Sequence, residues 1–267
     1  MRFTLALAQT QHPTDGDVPA LVRARVRQAR ALGADVVVFP ESMQTPFELP
    51  AEEFVAASEP LGGPYTRAVD AVAAETGAWL VCSANERGPE GADGRPLGAY
   101  NTAFVTDAAG RRVAAYHKAH LFDVGEFRES DKMLPGEGLL EPVDTPFCRL
   151  GLGICYDLRF PELARAAARA GCELLVYPAA WVAGPGKVDQ WHTLLRARAI
   201  ENGMYVAGVS RCDAGYVGRS LVVGPTGEVL AEAGGEEEVL TCLVDTDLVA
   251  AARAAVPSLA HRRPELY

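Results

Sequence analysis

The chain has 267 residues, 49% of them hydrophobic and 22% charged, which is typical of a folded protein that buries a substantial core. Its formal net charge of −10 argues against nucleic acid or an anionic membrane surface as the main partner. No apolar run approaches the roughly 18 residues of a membrane-spanning helix, and six cysteines without a C-x-x-C pair indicate reduced thiols and a cytoplasmic protein.

Strand and helix patterns alternate along the chain, which predicts an α/β fold. The predicted strands occupy residues 3–9, 35–40, 79–84, 100–106, 112–116, 149–154, 172–178, 203–210, 219–223, 228–231 and 239–245. The predicted helices occupy residues 18–32, 64–76, 161–170 and 188–202. No Ser/Gly linker or shift in composition marks a boundary, so we expect a single domain over residues 1–267.

Two further features concern the organisation of the chain. Residues 119–147 lack a clear period and are interrupted by proline and glycine, and a loop of this length in a compact domain is more often functional than idle. Residues 33–40 and 171–178 share a layout of glycine, acidic residue, apolar run and proline. Two related halves stacked face to face would explain the repeat, and chance similarity between buried strands would explain it as well.

Three chemically reactive side chains stand within two residues of the end of a predicted strand: Glu41, Lys118 and Cys155. Each has an ordinary interpretation, since a glutamate there is often a helix cap, a lysine is usually solvated and a free cysteine is commonly a small core residue. Ligands of open α/β sheets bind beyond the carboxyl ends of the strands. The equivalent positions of all three residues therefore favour a shared site.

The three side chains also make a coherent chemical set. A thiol is mostly protonated at neutral pH, and a neighbouring carboxylate can take its proton and return it to a leaving amine. A fixed ammonium can stabilise the oxyanion that forms when the thiol attacks a carbonyl or nitrile carbon. Together with the backbone N–H of Tyr156, Lys118 would form a two-donor oxyanion hole.

The sequence blocks around these residues are specific in combination. They are FPE at residues 39–41, YHKAHLF at 116–122 and GICYDLRFPE at 153–162, followed by PAAW at 178–181 and LRARAIEN at 195–202. They resemble the blocks of the nitrilase superfamily of carbon–nitrogen hydrolases, and the similarity runs from about residue 3 to residue 245.

The resemblance implies a four-layer αββα sandwich with a Glu–Lys–Cys triad. Glu41 would be the general base, Lys118 the oxyanion stabiliser and Cys155 the nucleophile, which would form a thioester or thioimidate that water hydrolyses. The resemblance requires no cofactor and no metal, and it implies a homodimer or a larger homo-oligomer.

Further site residues follow from the same resemblance. The FRES block at residues 127–130 is similar to ω-amidase-like members and indicates Glu129 as a second active-site glutamate, with Glu126 as the alternative. The remaining expected site residues are Trp181 and Tyr156 as pocket walls, and Asn101 and Asp157 as hydrogen-bonding supports.

The expected activity is hydrolysis of a small carboxamide to an acid and ammonia. The sequence looks most like ω-amidases and deaminated-glutathione amidases, which act on ω-amides of short dicarboxylic acids. Charge alone suggests Arg128 as the residue that binds the substrate carboxylate. A nitrilase and an N-carbamoyl-amine hydrolase would use the same triad, and a non-catalytic binding protein on the same fold is the alternative of another class. The His117-x-x-His120 pair lacks a third nearby ligand and favours a structural role over a metal site.

Overall fold

The computed structural model describes residues 1–13 and 16–266. The helices are α1 Val18–Ala31, α2 Ala51–Ala56, α3 Pro64–Thr76, α4 Pro161–Arg169, α5 Lys187–Asn202 and α6 Asp247–Ala255. The strands are β1 Arg2–Gln9, β2 Val36–Val38, β3 Trp79–Arg87, β4 Ala99–Thr106, β5 Arg112–His117, β6 Asp123–Val124, β7 Phe127–Arg128, β8 Met133–Leu134, β9 Val143–Asp144, β10 Arg149–Leu152, β11 Leu174–Ala179, β12 Tyr205–Ser210, β13 Leu221–Val223, β14 Val229–Glu232 and β15 Glu238–Asp245.

The strands form two large sheets and a short hairpin. The first sheet has the order β15-β1-β2-β3-β4-β5, with β8 paired to the beginning of β4, and the second has the order β14-β13-β12-β11-β10-β9. Each sheet contains three parallel strands in a row, β1-β2-β3 in the first and β10-β11-β12 in the second. The two segments that share a sequence layout lead into equivalent central strands, β2 and β11, as the interpretation of two related halves requires.

The layers follow from the alternation of side chains along the strands. In β1, Phe3, Leu5 and Leu7 belong to the core that includes the side chains of the second sheet. Ala6 and Ala8 point to the opposite face and belong to the core formed with helices α1 and α3. Because successive side chains of a strand point to opposite faces, one strand serves both cores. The predicted four-layer αββα sandwich is confirmed.

The outer helix of the second half approaches its sheet closely. A Cβ atom at Gly208 in β12 would lie 2.4 Å from the Trp191 ring and 2.7 Å from Leu195, both on α5. Glycine at this position therefore lets the large indole pack directly against the strand. Trp191 is fully buried and its Nε1 donates to the carbonyl of Arg219 at 2.9 Å.

The structure differs from the sequence prediction in several short elements. Helices α2 and α6 were not predicted, and the segment 119–147 contains β6 to β9 and a 3₁₀ turn at Glu129–Asp131. Strands of two residues are too short to produce a period in the sequence. Within the predicted strand 35–40, β2 covers only Val36–Val38. Phe39 still donates to the Val81 carbonyl at 2.9 Å, but Pro40 has no N–H with which to continue the pairing.

Neither a helix long and apolar enough to cross a membrane nor a group of three potential metal ligands occurs within residues 1–13 and 16–266. All six cysteines are free thiols.

Candidate active site

The carboxylate of Glu41 lies just beyond the end of β2 and is 1% exposed. Its Oε1 accepts hydrogen bonds from Lys118 Nζ at 2.9 Å and from Asn101 Nδ2 at 2.7 Å. Its Oε2 accepts one from the backbone N–H of Ala180, which follows β11 in the second sheet, at 2.8 Å. Three donors from both sheets therefore fix the orientation of this carboxylate.

The ammonium group of Lys118 is buried between two carboxylates. Its Nζ donates to Glu41 Oε1 at 2.9 Å and to Glu129 Oε1 at 2.8 Å. Glu129 in turn accepts from the backbone N–H of Phe122 through Oε2 at 2.8 Å. The strand β5 runs parallel to β3 across β4, so Lys118 emerges at the same edge of the sheet as Glu41.

The structure brings Glu129 to the lysine, whereas Glu126 is exposed and forms no ion pair among the described residues. Of the two glutamates that the sequence offered, Glu129 is the one that contacts Lys118, and its catalytic role stays a prediction.

Cys155 begins a 3₁₀ turn, Cys155–Arg159, immediately after β10. Its φ of 43° lies in the left-handed region, which costs a residue with a Cβ of the order of 1–2 kcal/mol. Such strained positions persist only where the surrounding structure determines them, and they concentrate at functional sites. The half-buried thiol lines the same cavity as Glu41 and Glu129.

The charges of this cluster act on one another. Burial, followed by the charge of Glu41, raises the pKa of the Cys155 thiol well above its usual range, while Lys118 acts in the opposite direction. Burial alone would lower the pKa of Lys118, but the carboxylates of Glu129 and Glu41 raise it well above its usual range. Burial also raises the pKa of Glu129 against the effect of Lys118. The thiol is therefore protonated at neutral pH, and it needs a base to react.

The cavity beside Cys155 has a volume of about 330 Å³ and aromatic walls. Tyr156 and Trp181, both expected as pocket walls, line it, together with Phe122, whose ring meets the Tyr156 ring edge-on at 5.0 Å. Trp181 is 3% exposed and its Nε1 donates to the carbonyl of Lys187 at 3.1 Å. This space suits a small molecule.

Cationic side chains also line the cavity, and they differ in whether a carboxylate lies beside them. Arg128 has a side chain that is 58% exposed, and its Nε lies 3.7 Å from Asp131. The guanidinium of Arg159 stacks on Trp181 at 4.8 Å and donates to Gln190, and the ammonium of Lys187 lies 5.9 Å from the centre of the Phe122 ring. Within the part of the chain that the structure describes, neither Arg159 nor Lys187 forms an ion pair with a carboxylate.

The two expected supporting residues take different places. Asn101 on β4 is buried and contacts Glu41 directly, while Asp157 is fully buried behind the Cys155 turn and contacts none of the triad side chains among the described residues. His117 and His120, for which the sequence favoured a structural role over a metal site, have separate partners: His117 bonds Glu86 and His120 bonds Asp157.

The sequence analysis missed Arg159 and Lys187 as cavity residues. Arg159 stands four positions after Cys155 in a block already singled out, so the block itself carried a signal. Lys187 begins α5 far along the chain, and no local pattern indicates that it reaches the cavity.

The chain is similar to known carbon–nitrogen hydrolases over nearly its whole length. The family described as "Carbon-nitrogen hydrolase" matches residues 4–254. Human omega-amidase NIT2 is 39% identical over 276 residues, covering 99% of this chain and 96% of that protein. Human deaminated glutathione amidase is 38% identical over 256 residues, covering 91% of this chain and 76% of that protein.

A solved structure shows the same architecture. The crystal structure of Saccharomyces cerevisiae Nit3, described as a member of branch 10 of the nitrilase superfamily, superposes with a TM-score of 0.84 at 28% identity. It covers 100% of this chain and 97% of that chain. The similarity therefore includes both sheets.

Proposed function

The chain belongs to the carbon–nitrogen hydrolase family and is an amidase, and we propose that it hydrolyses the terminal carboxamide of a short carboxylic acid through a cysteine thioester. One observation carries the proposal. Glu41, Glu129 and Cys155 line one small cavity, and the buried ammonium of Lys118 bonds both carboxylates.

In the proposed first half-reaction, Cys155 Sγ attacks the amide carbon while Glu41 takes the thiol proton. The ammonium of Lys118 and the backbone N–H of Tyr156 stabilise the negative oxygen of the tetrahedral intermediate. The C–N bond then breaks, the proton passes from Glu41 to the leaving nitrogen, and ammonia departs. An acyl thioester remains on Cys155.

The second half-reaction uses the same groups with water. Glu41 takes a proton from a water molecule while the oxygen of that water attacks the thioester carbon. The C–S bond breaks, the thiol regains a proton, and the acid leaves. The sum is one amide and one water converted to one acid and one ammonia. Glu129 orients Lys118 and adds the second negative charge that keeps the lysine protonated.

The substrate class rests on the unpaired cations of the cavity. The sequence suggested Arg128, but the side chain of Arg128 is mostly exposed and lies near Asp131. Arg159 and Lys187 line the cavity without a carboxylate partner among the described residues, so we propose that these two bind the substrate carboxylate. The relatives named as omega-amidase and deaminated glutathione amidase support a carboxylated amide. Assembly as a homo-oligomer and a cytoplasmic location stay predictions from the sequence.

The test is ammonia release by the purified protein and by Cys155→Ala. The compounds are α-ketoglutaramate, deaminated glutathione, a neutral aliphatic amide, a nitrile and an N-carbamoyl amine. We expect turnover of a carboxylated amide that disappears in the variant. Turnover of the nitrile or the carbamoyl compound alone would overturn the substrate class, and equal turnover by the variant would overturn the role of Cys155.

A further inference from the structure

The buried carboxylate of Asp157 accepts four hydrogen bonds from two separate parts of the fold. Its Oδ2 accepts from the backbone N–H of Ile154 and from the hydroxyl of Tyr116, both at 2.9 Å. Its Oδ1 accepts from the backbone N–H of His120 at 3.1 Å and from the ring Nδ1 of the same residue at 2.7 Å. Asp157 is 0% exposed, and these donors replace the water that a buried carboxylate has lost.

One side of this cluster acts on the Cys155 turn. The Ile154 N–H, directly before Cys155, donates to Asp157 Oδ2, and the N–H of Asp157 donates to the Ile154 carbonyl at 2.9 Å. Two reciprocal bonds thus enclose the one residue of the turn with a left-handed φ. The carboxylate holds Cys155 in a conformation that the residue alone disfavours.

The other side of the cluster acts on the segment that carries Lys118. Tyr116 and His120 stand two residues before and two residues after the lysine, and the Tyr116 hydroxyl also accepts from the backbone N–H of Ala119 at 3.2 Å. The backbone on both sides of Lys118 is therefore fixed relative to Asp157. The His120 ring is held further by parallel stacking on Phe160, with ring centres 3.6 Å apart.

We infer that Asp157 is a positioning residue that sets the placement of Cys155 relative to Lys118 by bonding the backbone around each. The inference rests on the proposed roles of those two residues. Cys155 belongs to the second half of the chain and Lys118 to the first, and the four hydrogen bonds of Asp157 join the two. No contact of Asp157 with the substrate is involved.

The test is Asp157→Asn, because asparagine has nearly the same shape but replaces one accepting oxygen with a donating amide. The four donors then face a single oxygen and one NH₂ group, so the turn and the lysine segment shift apart. A misplacement near 1 Å lowers kcat by about 10- to 100-fold while KM changes little. The matched control is Asp107→Asn, since Asp107 is a buried carboxylate that caps the β4–β5 turn at the opposite end of those strands. We expect the control to keep wild-type kcat.

A second readout needs no substrate. Iodoacetamide is a small amide, and its rate of reaction at Cys155, followed by mass spectrometry, reports the placement of the thiol. We expect this rate to fall with kcat in Asp157→Asn and to stay unchanged in Asp107→Asn. If the wild type hydrolysed no amide, the proposed function would fail, while the alkylation comparison would still decide the role of Asp157.

Partial variants separate positioning from folding. Tyr116→Phe removes one link and His120→Phe removes another while keeping an aromatic ring against Phe160. We expect each of these variants to lower kcat less than Asp157→Asn does. We also expect Tyr116→Phe to lower kcat little further when it is combined with Asp157→Asn, because the contact between the two side chains is already broken. If Asp157→Asn does not fold, these two variants decide by the same readouts. The inference would be overturned if the folded variants kept wild-type kcat and alkylation rate, or if only KM changed. It would also be overturned if the losses of kcat only followed the fraction of folded protein.

Discussion

At the level of single residues, the charge of Glu41 affects the Cys155 thiol in two opposing ways. As a neighbouring anion it raises the pKa of the thiol, second only to burial. As the proposed general base it accepts the thiol proton during attack. The arrangement therefore favours a neutral thiol that reacts only when the proton moves to the glutamate.

These two effects make Glu41→Gln informative. Removing the charge should lower the pKa of Cys155, so that the pH midpoint of its alkylation moves to lower pH than in the wild type. Amide turnover should nevertheless fall by about 10²- to 10⁴-fold, because the base is lost. The control is Glu126→Gln, which lines the cavity without contacting the triad among the described residues and should leave both quantities unchanged. An upward shift of the midpoint, or near-normal turnover, would contradict the assignment.

The cations of the cavity allow a second prediction at this scale. A charge-assisted hydrogen bond contributes about 1.5–3 kcal/mol, so Arg159→Ala should raise KM for the monoamide of succinic acid by about 10- to 100-fold. KM for butyramide, which has the same number of carbons but no carboxylate, should change little. Arg128→Ala is the comparison, and steady-state kinetics with both amides should show a smaller effect. A larger effect of Arg128→Ala on the carboxylated amide would return the role to that residue.

At the level of elements, the close contact of α5 with β12 depends on a single glycine. Gly208→Ala would place a methyl group 2.4 Å from the Trp191 ring, and such overpacking lowers the free energy of unfolding by about 1–3 kcal/mol. Urea denaturation would measure it. Gly234→Ala, where the methyl group meets no atom within 4 Å, is the control and should change stability by less than about 0.5 kcal/mol. Equal stability of the two variants would show that α5 can move away from the sheet at little cost.

The elements also show what a sequence can predict. The long strands and the four helices of residues 18–32, 64–76, 161–170 and 188–202 were predicted because each contains several turns or alternations of a clear period. The two-residue strands within 119–147 were not, because their pairing is decided by partners distant in the chain, such as Ala99 for Met133. Glu129 illustrates the consequence, since its motif indicated it over Glu126, but its contact with Lys118 depends on a 3₁₀ turn that no sequence pattern predicted.

At the level of the whole molecule, the four-layer sandwich and the amidase activity were predicted, whereas the full wall of the cavity was not. The triad candidates follow strand ends, where topology places them at one edge. Lys187 enters the cavity from the first turn of a helix, and Arg159 is oriented by its stacking on Trp181. Such placements depend on tertiary packing, which a local pattern does not contain.

The division of the triad between the two sheets has a mechanical consequence. Glu41 and Lys118 follow strands of the first sheet and Cys155 follows a strand of the second, so the apolar side chains between the sheets act as a spacer for the reacting atoms. Leu5, Leu7, Leu150 and Leu152 contribute to that spacer. In the proposed mechanism, their volumes help set the distance across which a proton passes from the Cys155 sulfur to a Glu41 oxygen. On this mechanism, the packing between the two sheets affects the distance between the reacting groups, even where the packed side chains do not line the cavity.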